Sequence, residues 1–410
     1  MRCAILLACA VGFAPAALAD PLTFADAVAR AGADAPIVAA RRAAVTSALR
    51  SITPAGQLPD PELSLGLQNA PVSGPNQFSL SKDFMTMESI GVAQDVPNKA
   101  KRQARTAVAT ADAGVAEGAL DVEKLNARVA AARAWIGLYY AAEKERALTA
   151  LAQELDLLTR STTTDLASGA AAADAALAAR MEAASIANRL ADVTAEKAAA
   201  QAELERWIGS MGGETPGPQA PTFVFDPLRL HQNVERHPTL ILAGAEVDRA
   251  QADLGLARAG SQSDWGWQVM YQRRDPIFGD MVSLGVHFSL PLFQSTRQTP
   301  TTDAKRADVQ RAEAERDAAL REHHAHLATM LANYDAARER LERMRQTEVP
   351  LARQRVDLAR NGQAAGTLTL SSVITAREAA LEVDLSTIAQ EEKMTLLGAM
   401  ITLEFVEVQS

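Results

Sequence analysis

Ser89-Ile90-Gly91-Val92-Ala93-Gln94-Asp95-Val96-Pro97 is echoed roughly 200 positions later by Ser283-Leu284-Gly285-Val286-His287-Phe288-Ser289-Leu290-Pro291. Both stretches alternate side chains with period two and then meet a proline, which has no N–H to give a sheet ladder. Each therefore predicts a strand that stops at a fixed point and hands over to something else. Two further landmarks repeat in the same order. Ala35-Pro36-Ile37-Val38 returns as His237-Pro238-Thr239-Leu240, and Gly169 with Leu177-Ala178-Ala179-Arg180 returns as Gly366 with Ile374-Thr375-Ala376-Arg377. Three landmarks at a nearly constant offset make the chain a duplication of one plan.

Each half runs through the same parts. A first helix is expected over 24–52 and again over 228–259. Two strands follow, at about 61–70 and 85–96, then 264–273 and 281–291. A helical hairpin closes each half, over 99–208 and 301–403. Its first arm spans some 60 residues, with Pro350 the only proline in either long arm, and would extend about 90 Å. Helices of that length bury their apolar stripe only by packing lengthwise on one another or on other chains. The Gly/Pro-rich stretch 209–227 reads as the linker between a first repeat, 20–208, and a second, 228–410.

The strands carry a membrane signal. Val282, Leu284, Val286, Phe288 and Leu290 alternate with Ser283, Gly285, His287 and Ser289; Trp265, Trp267, Val269 and Tyr271 alternate with Gly266, Gln268 and Met270; Leu63, Leu65 and Leu67 alternate with Ser64, Gly66 and Gln68. Gln94 interrupts the apolar face of the fourth strand. Such alternation suits a membrane barrel, and equally a half-buried sheet in a soluble domain. The count is more telling. Known membrane barrels start near eight strands, and lipid tolerates no open edge, so four spanning strands require several chains to share one barrel. Three chains would supply twelve.

Arg2, the apolar run from Ala4 to Leu18 and the small-x-small Ala17-Leu18-Ala19 make 1–19 a secretory signal peptide. Leu6-Leu7-Ala8-Cys9 is a faint lipoprotein box within it. Both cysteines, Cys3 and Cys9, fall inside this segment, so the exported chain has no disulfide framework. The net charge of −9 excludes nucleic acid as an expected partner. With aromatics at only 4%, the composition favours closely packed helices over a bulky core.

With these residues in place, the chain resembles the TolC family of outer-membrane efflux ducts along nearly its whole exported length. The resemblance is carried by Leu22-Thr23-Phe24-Ala25-Asp26-Ala27-Val28 followed by Ala35-Pro36, by the strand-to-helix junctions Gln94-Asp95-Val96-Pro97 and Leu290-Pro291-Leu292-Phe293, and by Gly366-Thr367-Leu368-Thr369-Leu370-Ser371-Ser372-Val373-Ile374-Thr375-Ala376. It implies a mainly α fold with a membrane β-barrel part: a homotrimer forming a 12-stranded barrel and a periplasmic helical barrel, with no cofactor and no enzymatic step. It further implies that glycine-led tips dock a periplasmic adaptor (membrane fusion protein), itself coupled to an inner-membrane resistance-nodulation-division pump. Carried over, the docking residues are Gly169 in the first tip and Gly366, Thr367, Leu368, Ser371, Val373 and Ala376 in the second. The first tip departs from the pattern, reading Gly169-Ala170-Ala171-Ala172-Ala173-Asp174. Asp165, Asp174, Arg180 and Arg377 lie near the tips and are gate candidates. A helix C-cap is the plain alternative for both glycines.

After Pro97 come Lys99, Lys101, Arg102 and Arg105; the family often has a glycine as well as basic residues there, and here the glycine is missing. Cations at a helix N-terminus oppose the macrodipole, so something must offset them, and outer-membrane lipid phosphates are one expectation. A solvated face is the other. No phosphate loop, HExxH or thiol nucleophile is present in the sequence. His323 and His326, at i and i+3, and the thioethers of Met85 and Met87 are weak metal candidates. Asp83-Phe84-Met85-Thr86-Met87 and Pro61-Glu62-Leu63 look most like the heavy-metal branch of the family, which favours copper- or silver-like cations as cargo over drugs or organic solutes. A periplasmic coiled-coil structural or adaptor protein remains the rival class, distinguished by its lack of paired β-hairpins.

Overall fold

The computed structural model describes residues 21–167 and 173–406. The expected signal segment and Gly169 fall outside them. The chain is mainly helical, with four strands among the described residues. In order it runs α1 (Phe24–Asp34), α2 (Pro36–Ala55), β1 (Glu62–Gln68), β2 (Met87–Val96), α3 (Lys99–Ala167), α4 (Ala173–Ile208), α5 (Pro227–Asn233), α6 (Pro238–Ala259), β3 (Trp265–Arg273), β4 (Met281–Phe288), α7 (Gln298–Arg343), α8 (Val349–Ala364) and α9 (Leu370–Phe405). No described helix is long and apolar enough to cross a membrane.

The expected first helices are each broken at their repeated X-Pro pair. Ala35 sits at φ −56°, ψ 133° and His237 at φ −59°, ψ 133°. The proline ring disfavours helical backbone at the residue before it, so the break is written into the sequence twice. The second long arm is also interrupted. Met344–Glu348 form a π-turn between α7 and α8, next to Pro350, whose missing N–H and ring cannot sit in a regular α-ladder. The first arm has no proline and α3 is continuous. β1 stops at Asn69, which takes a positive φ of 55°, a conformation asparagine tolerates.

The chain divides into two compact units that each draw on both sequence halves. One gathers the residues up to Ala35 with Ala127–Val224 and Asn333–Met400. Its core is built on Trp135, whose Nε1 donates to the carbonyl of Leu22 (3.0 Å) and whose ring meets Phe24 edge-on and Tyr139 face-on. Further along the same helices, Leu148, Leu151 and Leu155 of α3 close on Ile186 of α4 and Leu381 of α9.

The other unit gathers Pro36–Asn126, Phe225–Ala332 and the chain from Ile401. It holds one antiparallel sheet in the order β1-β2-β3-β4. Register rows run Leu63–Val92–Val269–Leu284 and Leu65–Ile90–Tyr271–Val282 on one face. On the other face they run Ser64–Gly91–Met270–Ser283 and Gly66–Ser89–Gln272–Met281. The two hairpins, one from each half, are joined through β2 and β3, so the duplication makes a single sheet.

Candidate conduit wall, junction and tip

The apolar face of the sheet has no cover from its own unit. Leu65 is 72% exposed and Leu284 79%, and Leu63, Val282, Val286 and Phe288 are exposed too. Leaving a leucine in water forgoes about 1.5–3 kcal/mol, so a row of them requires an apolar surrounding. β1 and β4 each pair on one side only, which leaves two open edges. The opposite face is small and polar. On it His287 lies over Gly266, where a Cβ would come within 2.4 Å of the ring, and its Nε2 is 3.1 Å from Asp95 Oδ1. Gln94, the polar break in the apolar row, is buried; its Nε2 donates to the carbonyls of Pro59 (2.7 Å) and Asp95 (2.9 Å).

At the foot of β2 one of the four junction cations finds its counter-charge within the chain. After Pro97, Asn98 caps α3, its Oδ1 accepting from the N–H of Lys101 (2.8 Å). Asp264, just before β3, accepts from the N–H of Asn98 (2.8 Å), from Asn98 Nδ2 (2.9 Å) and from Lys101 Nζ (2.7 Å). Burial alone would raise the Asp264 carboxyl, but the hydrogen bonds from Lys101 and Asn98 hold it below the ordinary carboxylate range. An anion thus sits at the helix N-terminus, where the macrodipole favours it, and takes up one of the misplaced cations. Of the four residues expected to meet lipid phosphate, Lys101 is therefore engaged internally. Arg105 lines the junction hollow with Asp95, Lys101, Asp264 and His287. Arg102 is half-buried, and Lys99 alone of the four is exposed. At the second junction Pro291 is followed by the exposed Leu292 and Phe293.

The second tip is a complete C-terminal capping motif. Gly366 has φ +73°, which an L side chain would strain. The N–H of Thr367 donates to the carbonyl of Gly362 (2.9 Å) and that of Gly366 to Gln363 (3.0 Å), the paired bonds of a Schellman ending. Leu368 packs so closely on Gly362 that a Cβ there would meet Leu368 Cδ1 at 2.7 Å. Thr369 then caps α9 by accepting from the N–H of Ser372 (3.3 Å). Gly366, Thr367 and Leu368 are presented to the outside, and Ser371 is half-buried. Val373 and Ala376, each 3% exposed, are packed against Val356 and Ala359 of α8 and hold the hairpin shut. Both side chains are spent on packing within the hairpin.

Arg377, one of the gate candidates, is ion-paired to Glu154 of α3, and Arg360 of α8 donates to the same carboxylate (2.7 Å). Three helices are thereby tied at one acid, and Arg353, Asp357 and Asp384 line the same hollow. Burial raises the Asp384 carboxyl, and Arg353 opposes the shift. Arg180 lies beside Asp156, which pairs with Arg160 (2.7 Å). Asp165 and Asp174 fall in α3 and α4, and their side chains lie outside the described residues. Sequence reading missed Glu154, which stands in the other half of the chain, and Arg360, across the turn from Arg377; the i to i+4 run of opposite charges offers no signal for such a cross-helix acid.

The weak metal candidates are not brought together. Among the described residues no group of three or more histidine, cysteine or acidic side chains converges on a cation position. His323 turns to His237, while His326 approaches Glu404 (3.4 Å). Met87 lies on the polar face opposite Gln68, and Met85 stands beyond the strand end.

This arrangement is a wall, a capped junction and a tip. Residues 230–396 match the family model of the outer membrane efflux protein. Outside that stretch the outer membrane efflux likeness is one of fold. The chain superposes on a crystal structure of CusC with a TM-score of 0.80 and 15% identity, covering 93% of this chain and 91% of that one. It superposes on VceC from Vibrio cholerae at 0.77 and 18%, covering 92% and 95%, and on the CmeC channel of Campylobacter jejuni at 0.73 and 12%, covering 93% and 85%. No curated protein sequence matches it. The fold is that of the TolC-like channels.

Proposed function

We propose that the chain is the passive outer-membrane exit duct of a tripartite efflux system in a Gram-negative bacterium. The observation that carries this reading is the four-stranded sheet with two open edges and one bare apolar face. Both features are costly in water and both are relieved at once when three copies close a barrel in lipid. The small polar face of Ser64, Gly91, Ser89, Gln272 and Ser283 then lines the passage. Residues 1–19 act as the export signal, 20–208 and 228–410 as the two repeats around the linker 209–227, and Lys99 meets phospholipid phosphate beside the junction.

The tip dipeptide Thr367-Leu368, raised by Gly366, docks a periplasmic adaptor, with Gly169 in the corresponding place of the first half. The adaptor links the duct to a resistance-nodulation-division pump. Glu154, Arg360 and Arg377 form the latch that keeps the helices closed, and docking shifts the packing equilibrium without a chemical step. The cargo we favour is a copper- or silver-like cation, on the resemblance of Asp83-Phe84-Met85-Thr86-Met87 and Pro61-Glu62-Leu63 to the heavy-metal branch. Drugs or organic solutes are the alternative cargo.

A deletion strain separates the two. Loss of tolerance to copper or silver, restored by the wild-type gene, is the expected result; loss of drug tolerance alone would move the duct to the other cargo. Tolerance unchanged towards every toxicant tested, in a strain whose other exit ducts are removed, would end the export reading.

A further inference from the structure

Five of the six histidines in the chain, His231, His237, His323, His324 and His326, gather at one joint in the sheet-bearing unit. The rings of His237 and His323 stand 4.1 Å apart, and those of His231 and His324 stack at 6.5 Å. His237 is 4% exposed and its ring lies 5.7 Å from that of the fully buried Phe405. The joint ties three pieces of chain together: the start of α6 at His237, the middle of α7 at 323–326, and the end of α9, where Asn233 Nδ2 donates to the carbonyl of Phe405 (3.1 Å).

We propose that this histidine joint is an acid-responsive coupling, locking α6 and the end of α9 onto α7 while its imidazoles are neutral and loosening them when they take up protons. His237 Nδ1 accepts the N–H of Thr239 (3.3 Å) and so caps α6; a proton on that nitrogen turns the acceptor into a donor facing a donor. His323 Nδ1 is buried with no hydrogen-bond partner, so a proton there has no acceptor. Two cationic rings at 4.1 Å would also repel. The groups that bear on the pair are few. His323 and His326 of α7 act on His237, while His326 and Glu322 act on His323. Glu404 of α9 faces His326, and α5 brings His231 against His324.

Burial first, then His323 and His326, lower the His237 imidazole to about 4; burial and His326 lower His323 as well, with Glu322 opposing. Unfolded histidines titrate near 6.5, so between that pH and about 4 the unfolded form binds more protons. Stability therefore falls as pH drops through this window and is restored above it. For His237 alone the folding equilibrium at pH 5 is about 30-fold less favourable than at pH 8. This coupling does not depend on what the duct carries.

The test uses the purified full chain in detergent. Exchange of the imidazole C2 proton, followed by mass spectrometry, reads the titration of each histidine. Amide exchange, corrected for its intrinsic pH dependence, reads the joint itself. We expect His237 to titrate near 4, and peptides covering 228–245 and 398–406 to lose protection at least tenfold between pH 7.5 and 5. The double variant His237→Asn, His323→Gln keeps a capping acceptor but cannot titrate, and its protection should stay flat. If the double variant is already unprotected at pH 7.5, His323→Gln alone takes its place and should halve the response or better. His237 titrating near 6.5, wild-type protection that ignores pH, or an equal loss in the variant would each overturn the proposal.

Discussion

Asp264 shows how one carboxylate settles three demands. It satisfies the N–H of Asn98, orients the Asn98 amide that caps α3, and pairs with Lys101 where the macrodipole would repel that cation. Asp264→Ala is expected to cost about 2 kcal/mol, because a half-buried ammonium and two amide donors lose their acceptor together. Calorimetry or denaturant titration of the purified protein checks this, and Asp264→Ala with Lys101→Met should recover part of the loss. The sign of its pH dependence follows from its lowered pKa. The contribution is complete above the ordinary aspartate value near 3.9 and is lost only as pH falls below that, a window distinct from the histidine one. Gly366 makes a second case at this scale. With φ at +73°, Gly366→Ala should cost about 1 kcal/mol and unseat the turn that presents Thr367 and Leu368. Neither role was legible in the sequence beyond its outline. Gly366 announced itself by starting a repeated motif, whereas Asp264 is one acid among fifty whose partner lies in the other half of the chain.

The α8–α9 hairpin separates residues that hold an element from residues that it offers. Val373 and Ala376 face Val356 and Ala359, and Leu368 lies at the exposed turn. Val373→Ser should destabilise the protein by about 2 kcal/mol, by removing a buried branched side chain and burying a hydroxyl. Leu368→Ser should leave the melting temperature within a degree or two while weakening capture by the cognate adaptor at least tenfold, measured by surface plasmon resonance. If both variants lower stability alike, the turn is structural only. Glu154→Gln tests the latch. Arg360 and Arg377 lose their shared carboxylate, a change worth about 1–2 kcal/mol at this half-exposed position, and single-channel conductance in planar bilayers should rise. The strand-to-helix boundary at Pro97 was legible, whereas the breaks at Pro36 and Pro238 were read through as continuous helix although proline writes them. The π-turn before Pro350 was not legible either, since a proline forecasts an interruption without saying which of several local windings absorbs it.

A single chain leaves one apolar face of its sheet bare. The alternation of Leu63, Leu65 and Leu67 and of Val282 through Phe288 foretold which face is apolar, and the register confirms it row by row. Sequence could not say that β2 and β3 would join the two hairpins into one sheet, because that pairing bridges the halves and depends on register alone. Leu284→Asp places a charge on the bare face beside the open edge of β4. It should cut the yield of assembled protein several-fold while leaving the helical content of any purified chain unchanged, as circular dichroism would show. The same substitution on the polar face, at Ser283, should be tolerated. In the proposed assembly three copies close one barrel in the outer membrane. Fractionation followed by unheated gel electrophoresis tests it most directly. The expected result is a detergent-resistant trimer in the outer-membrane fraction that collapses to the monomer mass on boiling; a soluble periplasmic monomer would overturn the shared barrel.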